Sequence, residues 1–367
     1  MRKIKIGFLL DNLAGGGAER MMLNLAVGFS KEYDVVIYLV NKKGIYLKKV
    51  PDNIPIIDLH AKYGVKSVIH KLRRIYIKDS LDVLISTQDY INAVAVMASL
   101  GLKQRPKIIL REASTPSQRN VIKWRRIVYS WLYKRADHLA AVSKGVKKDM
   151  IQVYNVNEPL ISVVYNPVVN DELFENAQEN VSHPWFMNSN NIPLIISMGR
   201  FHPLKRFEDV IDAFYLVREK QEAKLVIFGD YSKNMDYYNV LKNRVKQYNL
   251  EDYVYFPGFV ENPFKYLSRA SVFVLTSEYE GLPGVLIQAL ACGCQVVSTD
   301  CPSGPNEILE NGKYGELIEI KDTNSLSKKI ELVLKQPRSK EENISRGKKY
   351  SVDNSVSIYK EIIKKVL

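Results

Sequence analysis

The sequence predicts an α/β protein of two doubly wound parallel-sheet domains, with a ligand cleft at the carboxyl ends of their strands. The chain has 367 residues, 46% of them hydrophobic, which exceeds one ordinary core and suffices for two. Short β-rich runs alternate with helix-like segments from end to end, the rhythm of βαβ units. A second series of such runs starts at residue 194, after a polar stretch rich in asparagine.

The first domain is predicted over residues 1–170. Its strands are short apolar runs rich in β-branched residues, as expected for strands buried in a parallel sheet. They are Ile4–Leu10, Val35–Val40, Val83–Ser86, Ile108–Leu110, Leu139–Val142 and Ile161–Val164.

The second domain is predicted over residues 194–353, after a linker at 171–193 that could act as a hinge. The amphipathic segment 354–367 is expected to form a last helix that packs back on the first domain. The predicted strands of the second domain are Leu194–Met198, Lys224–Phe228, Tyr253–Phe256, Val272–Leu275 and Gln295–Ser298.

The formal charge of +13 is concentrated in the first half of the chain. Residues 1–180 hold 28 lysines and arginines against 17 acids, and the rest holds 25 against 23. This asymmetry favours an anionic partner of the first half, either lipid head groups, nucleic acid or a phosphorylated acceptor. A solvated basic face without a partner is the alternative.

Cysteines and apolar runs indicate the compartment. Cys292, Cys294 and Cys301 are odd in number and have no histidine nearby, which suits neither a metal site nor a disulfide framework. Buried, reduced thiols favour a cytoplasmic chain. The first apolar run is too short for a signal peptide, and no run of 18 apolar residues could span a membrane.

A carboxylate directly before a predicted helix is the most informative motif. Glu280-Gly281-Leu282-Pro283 follows the strand Val272–Leu275 and precedes the helical run Val285–Ala291. The free amides and positive dipole of such a helix start suit a phosphate. Glu280 would repel a phosphate, so we expect it to accept hydrogen bonds from the hydroxyls of a neighbouring sugar.

Two cations follow the first strand of the second domain. Arg200 and Lys205 could neutralise a leaving diphosphate without a metal. A basic loop on a basic protein is the alternative. No Asp-x-Asp occurs, so no two-carboxylate metal site is predicted.

The glycine turn after the first strand does not predict a nicotinamide enzyme. Gly15, Gly17 and Arg20 do not meet the dinucleotide fingerprint, and the second strand ends in Asn41-Lys42 without a ribose-binding acid. The sequence contains no known base-reading module, so it does not predict a nucleic-acid partner.

In combination these motifs resemble the retaining glycosyltransferases of family 4. Their GT-B fold has two facing Rossmann-like domains and an interdomain cleft, and the resemblance spans nearly the whole chain. It rests on Gly15–Arg20, Ala141–Ser143, Tyr165–Val168, Gly199–Phe201 with Lys205, Phe228–Asp230, Phe256–Phe259, Glu280–Pro283 and Gly304–Glu307.

The resemblance implies transfer of a hexose or N-acetylhexosamine from a nucleotide sugar, expected to be UDP-linked, to a lipid-linked or polysaccharide acceptor of the lipopolysaccharide or capsule type. It implies no cofactor and no metal. In the front-face displacement that it implies, the departing phosphate oxygen takes the acceptor's proton, so no protein base is required. The catalytic residues would be Glu280, Arg200 and Lys205. The donor-binding residues would be Gly16, Gly17, Gly199, Asp230, Phe259, Gly281, Leu282, Pro283 and Gln288.

Two positions depart from the family pattern. The second glutamate of the family, eight residues after Glu280, is replaced by Gln288, which can still bind ribose hydroxyls in an altered form. Ala113 stands where relatives often carry a histidine, so the role of that histidine does not transfer.

Two basic segments are expected to meet the acceptor or an anionic membrane at the inner face of the cell membrane. Residues 66–78 place cations opposite an apolar helix face, and residues 119–135 mix cations with aromatics, as interfacial segments do. Trp124 and Trp131 packing inward, with only the charges outside, is the alternative. The acceptor or membrane set is Glu112, Asn166, Lys71, Arg74, Lys123, Trp124, Arg125 and Arg126.

Two other functions stay open at the level of the sequence. A nucleotide-sugar epimerase of the same fold would need no acceptor, but its usual acid/base residues are not evident. A non-catalytic nucleotide-sugar-binding protein is possible because of Gln288.

Overall fold

A computed structural model describes residues 2–61, 65–118, 122–187 and 192–367. The chain forms two compact units. The N-terminal unit comprises residues 1–168 and 351–367, and the C-terminal unit comprises residues 169–350. Each unit is built on one parallel sheet, which confirms the predicted α/β class.

The N-terminal unit has a seven-stranded sheet of order β3-β2-β1-β4-β5-β6-β7. All neighbouring strands pair in parallel. The strands are β1 Lys5–Leu10, β2 Asp34–Leu39, β3 Ile56–Asp58, β4 Val83–Thr87, β5 Lys107–Glu112, β6 His138–Ala141 and β7 Ile161–Val163.

Five α-helices connect these strands. Short 3₁₀ helices lie at 45–49, 116–118 and 158–160. The α-helices are α1 Gly17–Ser30, α2 Val65–Lys78, α3 Asp89–Ser99, α4 Lys123–Tyr133 and α5 Lys144–Tyr154.

The C-terminal unit has a six-stranded parallel sheet of order β10-β9-β8-β11-β12-β13. Its strands are β8 Leu194–Met198, β9 Lys224–Phe228, β10 Val254–Gly258, β11 Val272–Leu275, β12 Gln295–Thr299 and β13 Glu316–Ile318.

The helices of the C-terminal unit cover both faces of its sheet. A further 3₁₀ helix lies at 203–205. The α-helices are α6 Asp171–Ala177, α7 Pro184–Met187, α8 Phe207–Arg218, α9 Met235–Gln247, α10 Phe264–Leu267, α11 Gly284–Ala291, α12 Pro305–Leu309, α13 Thr323–Lys335 and α14 Lys340–Lys348.

Two strands were missing from the sequence-based prediction. All eleven predicted strands occur, with ends shifted by at most two residues, but β3 and β13 were not recognised. Both have only three residues and lie at an edge of their sheet, so neither shows the longer apolar run of a central strand. Their addition extends each sheet by one edge strand.

Residues 171–193 differ from the predicted flexible linker. They contain α6 and α7, and they lie within the C-terminal unit. The Asn170 side chain accepts a hydrogen bond from the amide of Leu173 and so begins α6. Asn262 and Ser268 donate to carbonyl oxygens of α6, both at 2.8 Å. The described part of this segment is therefore attached to the unit by specific hydrogen bonds.

The last helix, α15 Val352–Val366, returns to the N-terminal unit. Its apolar face enters the same buried cluster as Phe8 and Phe29. The Phe29 ring meets the Tyr359 ring edge to face at 6.4 Å. The helix begins two residues before the predicted segment 354–367, because Ser351 caps it through the amide of Asn354.

Within the described residues, no helix is long and apolar enough to cross a membrane. The same residues contain no group of three histidine, cysteine or acidic side chains placed to hold a metal ion. The three cysteines are free thiols, and burial raises the pKa of Cys301 to about 12.

Candidate active site

The predicted catalytic residues follow two central strands of the C-terminal sheet. The strand order reverses between β8 and β11, so the connections leaving these two neighbours run to opposite sides. Such a switch point leaves a crevice at the carboxyl ends of the strands. Arg200 and Lys205 follow β8, and Glu280 follows β11.

Lys205 and Glu280 form an ion pair. The Lys205 Nζ atom donates to Glu280 Oε1 at 2.5 Å, and the two side chains are 19% and 14% exposed. A partly buried pair is screened less by salt than a surface pair. These two charges therefore hold each other in place at the crevice.

Hydrogen bonds from the Thr276 side chain and from a backbone amide join the two loops that carry this pair. The Thr276 hydroxyl lies 2.8 Å from the carbonyl oxygen of Lys205 and 2.9 Å from that of Arg206. The Glu278 amide donates to the Leu204 carbonyl oxygen at 2.9 Å. The loops after β8 and β11 are thus one connected structure.

Arg206 fixes the turn next to Lys205. Its backbone adopts a left-handed conformation, with φ of 51°. Its guanidinium donates two hydrogen bonds to Asp209 and lies 3.2 Å from Glu208. The hydrogen bonds with Asp209 are the main cause that raises the pKa of Arg206. Because Asp209 and Glu208 already pair with the Arg206 guanidinium, we do not expect Arg206 to bind a ligand.

Arg200, in contrast, has an exposed side chain. It makes no hydrogen bond or ion pair with any other described residue. The loop that carries it is held by Gly199, whose amide donates to the Phe228 carbonyl oxygen at 3.0 Å. Gly229 allows this close approach, since a Cβ there would collide with the Gly199 carbonyl oxygen. The backbone is fixed while the guanidinium stays available to an anion.

The start of α11 presents free amides to the crevice side of β11. Pro283 is the N-cap residue in an extended conformation, and the helix begins at Gly284. The first amides of an α-helix have no partner inside the helix. The Ser303 hydroxyl donates to the Gly281 carbonyl oxygen at 2.8 Å and so orients the turn before the helix. Gly281, Leu282 and Pro283 are all buried.

Gln288 lies one turn into α11. Its side chain is 6% exposed and makes no hydrogen bond with another described residue. Buried polar groups are normally hydrogen-bonded. An almost buried amide without an internal partner is suited to a polar group of a ligand.

Two other predicted donor residues follow neighbouring strands. Asp230, after β9, already accepts hydrogen bonds from the amide and hydroxyl of Ser232. Those bonds are the main cause that lowers the pKa of Asp230. Phe259, after β10, is about half exposed. Asp230 is thus engaged locally, whereas the Phe259 ring offers an apolar face.

The glycine turn of the N-terminal unit carries a carboxylate of its own. A Cβ at Gly16 would collide with the side chain of Glu19, whereas a Cβ at Gly17 would meet no atom within 4 Å. Gln88 donates to Glu19 at 3.2 Å. Of the two glycines expected to approach a diphosphate, Gly16 is therefore covered by the side chain of Glu19, whereas Gly17 is open.

A buried polar network lies at the carboxyl edge of the N-terminal sheet. Arg111 donates to Thr87 at 3.1 Å and to Asn166 at 2.5 Å, and burial lowers its pKa. The Tyr133 hydroxyl donates to Glu112 at 2.8 Å. The predicted acceptor residues Glu112 and Asn166 are thus both buried, with Asn166 bonded to Arg111 and Glu112 bonded to Tyr133.

The two basic segments, α2 and α4, differ in whether their apolar residues are buried. In α2 the apolar residues Val68, Leu72 and Tyr76 are buried, and Lys71 donates to the Leu59 carbonyl oxygen at 2.8 Å. Arg74 is exposed. In α4, by contrast, the apolar side chains of Trp124, Ile127, Val128 and Trp131 are exposed.

Trp124 and Trp131 are both exposed on α4, which rules out the alternative that they pack inward. Arg125 is exposed, and Arg126 is half-buried. Lys123 begins the helix. Residues 119–121 lie outside the described residues.

The hydrogen bonds that tie the catalytic loops were missed at the level of the sequence. Thr276 and Ser303 supply them, and both are small hydroxyl residues without a distinctive pattern. Ser277 follows Thr276, and its buried hydroxyl has no partner among the described residues. Only their position just after β11 or β12 could have indicated them.

A separate depression of about 830 Å³ lies at the opposite edge of the N-terminal sheet. Its lining includes Lys107 at the start of β5 and His138 at the start of β6. None of the predicted site residues lines it.

Two family models match consecutive parts of the chain. The model for Glycosyltransferase Family 4 matches residues 15–172, and the model for Glycosyl transferases group 1 matches residues 184–350. The two matches cover most of both units.

Individual relatives match over the full length. A Campylobacter jejuni N-acetylgalactosamine-N,N'-diacetylbacillosaminyl-diphospho-undecaprenol 4-alpha-N-acetylgalactosaminyltransferase is 28% identical, over 99% of this chain and 99% of its own. A solved Rickettsia africae glycosyltransferase has a TM-score of 0.84 at 19% identity, over 100% of this chain and 99% of its own.

A second solved structure, of Anabaena Alr3699/HepE in complex with UDP, has a TM-score of 0.83 at 19% identity, over 99% of this chain and 100% of its own. These likenesses agree with the two parallel-sheet units and with the order of the motifs. The chain belongs to the glycosyltransferases of the GT-B fold.

Proposed function

We propose that this glycosyltransferase moves a hexose or N-acetylhexosamine from a UDP-sugar to a lipid-linked or polysaccharide acceptor, with retention of anomeric configuration and without a metal. The observation that carries the proposal is the grouping of Arg200, Lys205 and Glu280 with the free amides of α11 at one switch point. Two cations, a carboxylate and a helix N-terminus are the groups that a sugar diphosphate requires.

The Lys205–Glu280 ion pair supports a division of roles on donor binding. The ammonium would turn to the diphosphate, and the carboxylate would accept hydrogen bonds from sugar hydroxyls. The ammonium would exchange a carboxylate for a phosphate, and the carboxylate would exchange the ammonium for hydroxyl donors, so neither buried group would be left without a partner. The donor would thus replace an internal interaction that already has the right shape and charge.

The proposed reaction balances without a protein base. The bond between the anomeric carbon and the phosphate oxygen breaks, and the acceptor oxygen bonds to the same face of that carbon. The acceptor's proton passes to the departing phosphate oxygen. Arg200, Lys205 and the α11 amides stabilise the negative charge that develops on the diphosphate, an effect of about 3 to 4 kcal/mol for a well-placed donor.

The side chain of Gln288 is proposed to bind the ribose of the nucleotide. It is nearly buried, and no described residue uses its amide. A carboxamide accepts from one hydroxyl and donates to another, whereas a glutamate would accept from both. Ribose binding in this chain would therefore use one acceptor and one donor.

The acceptor side of the proposal draws on the relatives. The Campylobacter relative is named for an undecaprenol-diphosphate-linked acceptor, and it matches this chain end to end. The first half of this chain also carries most of the excess positive charge. We infer that the acceptor here is lipid-linked and that transfer takes place at the inner, anionic face of a membrane.

Saturation-transfer NMR with UDP-, GDP- and ADP-sugars in the presence of EDTA tests the donor side. We expect contact with one UDP-hexose or UDP-N-acetylhexosamine, and release of UDP when a polyprenyl-diphosphate-linked saccharide is added. Release of a free sugar epimer without acceptor would instead indicate an epimerase. Binding that needs a divalent ion, or no binding to any sugar nucleotide, would contradict the proposal.

A further inference from the structure

Helix α4 presents an apolar stripe to solvent. Trp124, Ile127, Val128 and Trp131 follow the spacing i, i+3, i+4, i+7, which places them on one helix face. They are 58%, 71%, 41% and 45% exposed. Single exposed apolar residues are common on soluble proteins, but a continuous stripe marks an interaction surface.

The opposite side of α4 fixes the helix to the protein. Leu132 and Tyr133 at its last turn are buried. The Tyr133 hydroxyl contacts Glu112 and Asn92, and the Ser130 hydroxyl donates to the Tyr154 carbonyl oxygen. The stripe is therefore the outer face of an anchored helix.

The sequence around the stripe is basic and lacks acids. Residues 113–136 contain six lysines and arginines and no aspartate or glutamate. The Arg135 guanidinium stacks 3.5 Å above the centre of the Trp131 ring, and that of Arg125 lies 5.4 Å from Trp124. Such pairs keep the charge at the polar edge of an apolar surface, as snorkelling side chains do.

We propose that α4 is the element that inserts into an anionic phospholipid bilayer, with its apolar stripe at the level of the acyl boundary and its cations among the head groups. Tryptophan prefers this interfacial depth, and basic residues add attraction to anionic lipid. The inference deepens the proposed function, on which its biological purpose rests, by naming the membrane-binding surface.

A second copy of the chain fits this face less well. In a symmetric dimer the same patch meets itself, so the basic side chains of one copy would face those of the other. Anionic lipid complements the apolar residues and the charges together. Helix α2, the other basic segment, is a weaker candidate because its apolar face is already buried.

Co-sedimentation of the full chain with vesicles tests the proposal. We expect binding to vesicles of phosphatidylglycerol and phosphatidylethanolamine, and little binding to phosphatidylcholine alone. In a Trp185→Phe variant the two remaining tryptophans are those of α4. Their emission should shift to the blue and be quenched by brominated lipid.

Matched isoleucine variants locate the surface. Ile127→Ser should lower the vesicle partition coefficient about tenfold or more, because a buried apolar side chain is worth about 1.5 to 3 kcal/mol. Ile77→Ser changes a similarly exposed isoleucine on α2, at 62% exposure, and should leave partitioning unchanged. Arg125→Ala should weaken binding to anionic vesicles about fivefold.

Three results would overturn the proposal. These are no sedimentation with anionic vesicles, equal losses in Ile127→Ser and Ile77→Ser, and a vesicle-free dimer that Ile127→Ser abolishes. The vesicle experiment contains neither donor nor acceptor. A negative vesicle result would therefore say nothing against donor binding by the proposed glycosyltransferase. Likewise, a negative donor-binding result would say nothing against membrane binding by α4.

Discussion

Lys205 and Glu280 show how a site of opposite charges can be kept ready for a charged ligand. Each neutralises the other at 2.5 Å, while Arg200 next to them has no partner in the described part of the chain. We expect a diphosphate to meet Arg200 first, because its guanidinium is exposed and uncompensated. Lys205 and Glu280 would then separate as the donor settles.

Changing Gln288 to glutamate should strengthen recognition of the ribose hydroxyls. A carboxylate forms stronger hydrogen bonds than an amide, so we predict that Gln288→Glu widens the affinity difference between UDP and 2′-deoxy-UDP several-fold. Isothermal titration calorimetry with both nucleotides measures this. An unchanged ratio would mean that Gln288 does not contact the ribose.

At the residue scale, part of the site was predictable from sequence. Arg200, Lys205 and Glu280 each follow a strand, and parallel strands place their carboxyl ends at one edge. The contact of Arg111 with Asn166 was not predictable, because 55 residues separate them and no pattern links them. The position of the Glu19 side chain next to Gly16 was also not predictable, because it depends on a rotamer that the sequence does not specify.

The loops after β8, β11 and β12 act as one element. Thr276 joins the first two loops, and the Ser303 hydroxyl joins the third to Gly281. Gly304 makes the last approach possible, since a Cβ there would lie 2.5 Å from Pro283 Cδ. The position of the α11 N-terminus therefore depends on a loop that carries no predicted catalytic residue.

Replacing Gly304 with alanine should displace this element. The new Cβ would push the 281–283 turn away from its position, so we predict that Gly304→Ala weakens donor binding at least tenfold. Donor titration measures the change.

Gly101→Ala is the matched control. Gly101 also has a positive φ, of 71°, but a Cβ there meets no atom within 4 Å. The Gly101→Ala variant therefore introduces backbone strain without a steric collision, and its donor affinity should stay near that of the wild type. Equal affinities in the Gly304→Ala variant and the wild type would show that the turn does not depend on this contact.

At the element scale, the strands with a clear apolar run were predictable, whereas the edge strands β3 and β13 were not. The helix predicted at 285–291 is α11, which begins one residue earlier. β3 and β13 form because a neighbouring strand supplies their hydrogen bonds, which is a tertiary effect. The sequence also did not determine whether the apolar stripe of α4 is buried or exposed, because an amphipathic pattern does not say which face of a helix the protein covers.

The molecule has two units, and the chain enters the N-terminal unit twice. Residues 351–367 return to pack α15 on α1. Val356 and Ile363 of this helix belong to the same buried cluster as the first strand. The N-terminal unit is therefore complete only when the end of the chain is in place.

A mutation in α15 should consequently destabilise the N-terminal unit. We predict that Ile363→Ala, at a fully buried position, lowers the free energy of unfolding by about 2 to 5 kcal/mol. Urea unfolding followed by hydrogen exchange should show the loss in the strands β1 to β7 and little change in β8 to β13. Equal loss of protection in both sheets would contradict this assignment.

At the scale of the molecule, the sequence predicted two parallel-sheet units because each contributes its own series of strands. It also predicted that the last helix returns to the first unit. The helices at 171–187 were not predictable from composition, since their polar sequence resembles a linker. The first of them, α6, is held by hydrogen bonds from Asn262 and Ser268, far along the chain.

The most direct test of the central claim is the rate of UDP release from the preferred UDP-sugar by Arg200→Ala and Lys205→Ala, with EDTA present. We predict that each substitution lowers turnover by about 100-fold or more, as the loss of one well-placed donor does. Circular dichroism should show an intact fold, and Lys313→Ala, at an exposed lysine, should behave as wild type. Near wild-type turnover in both variants would show that the donor diphosphate is not held by these cations.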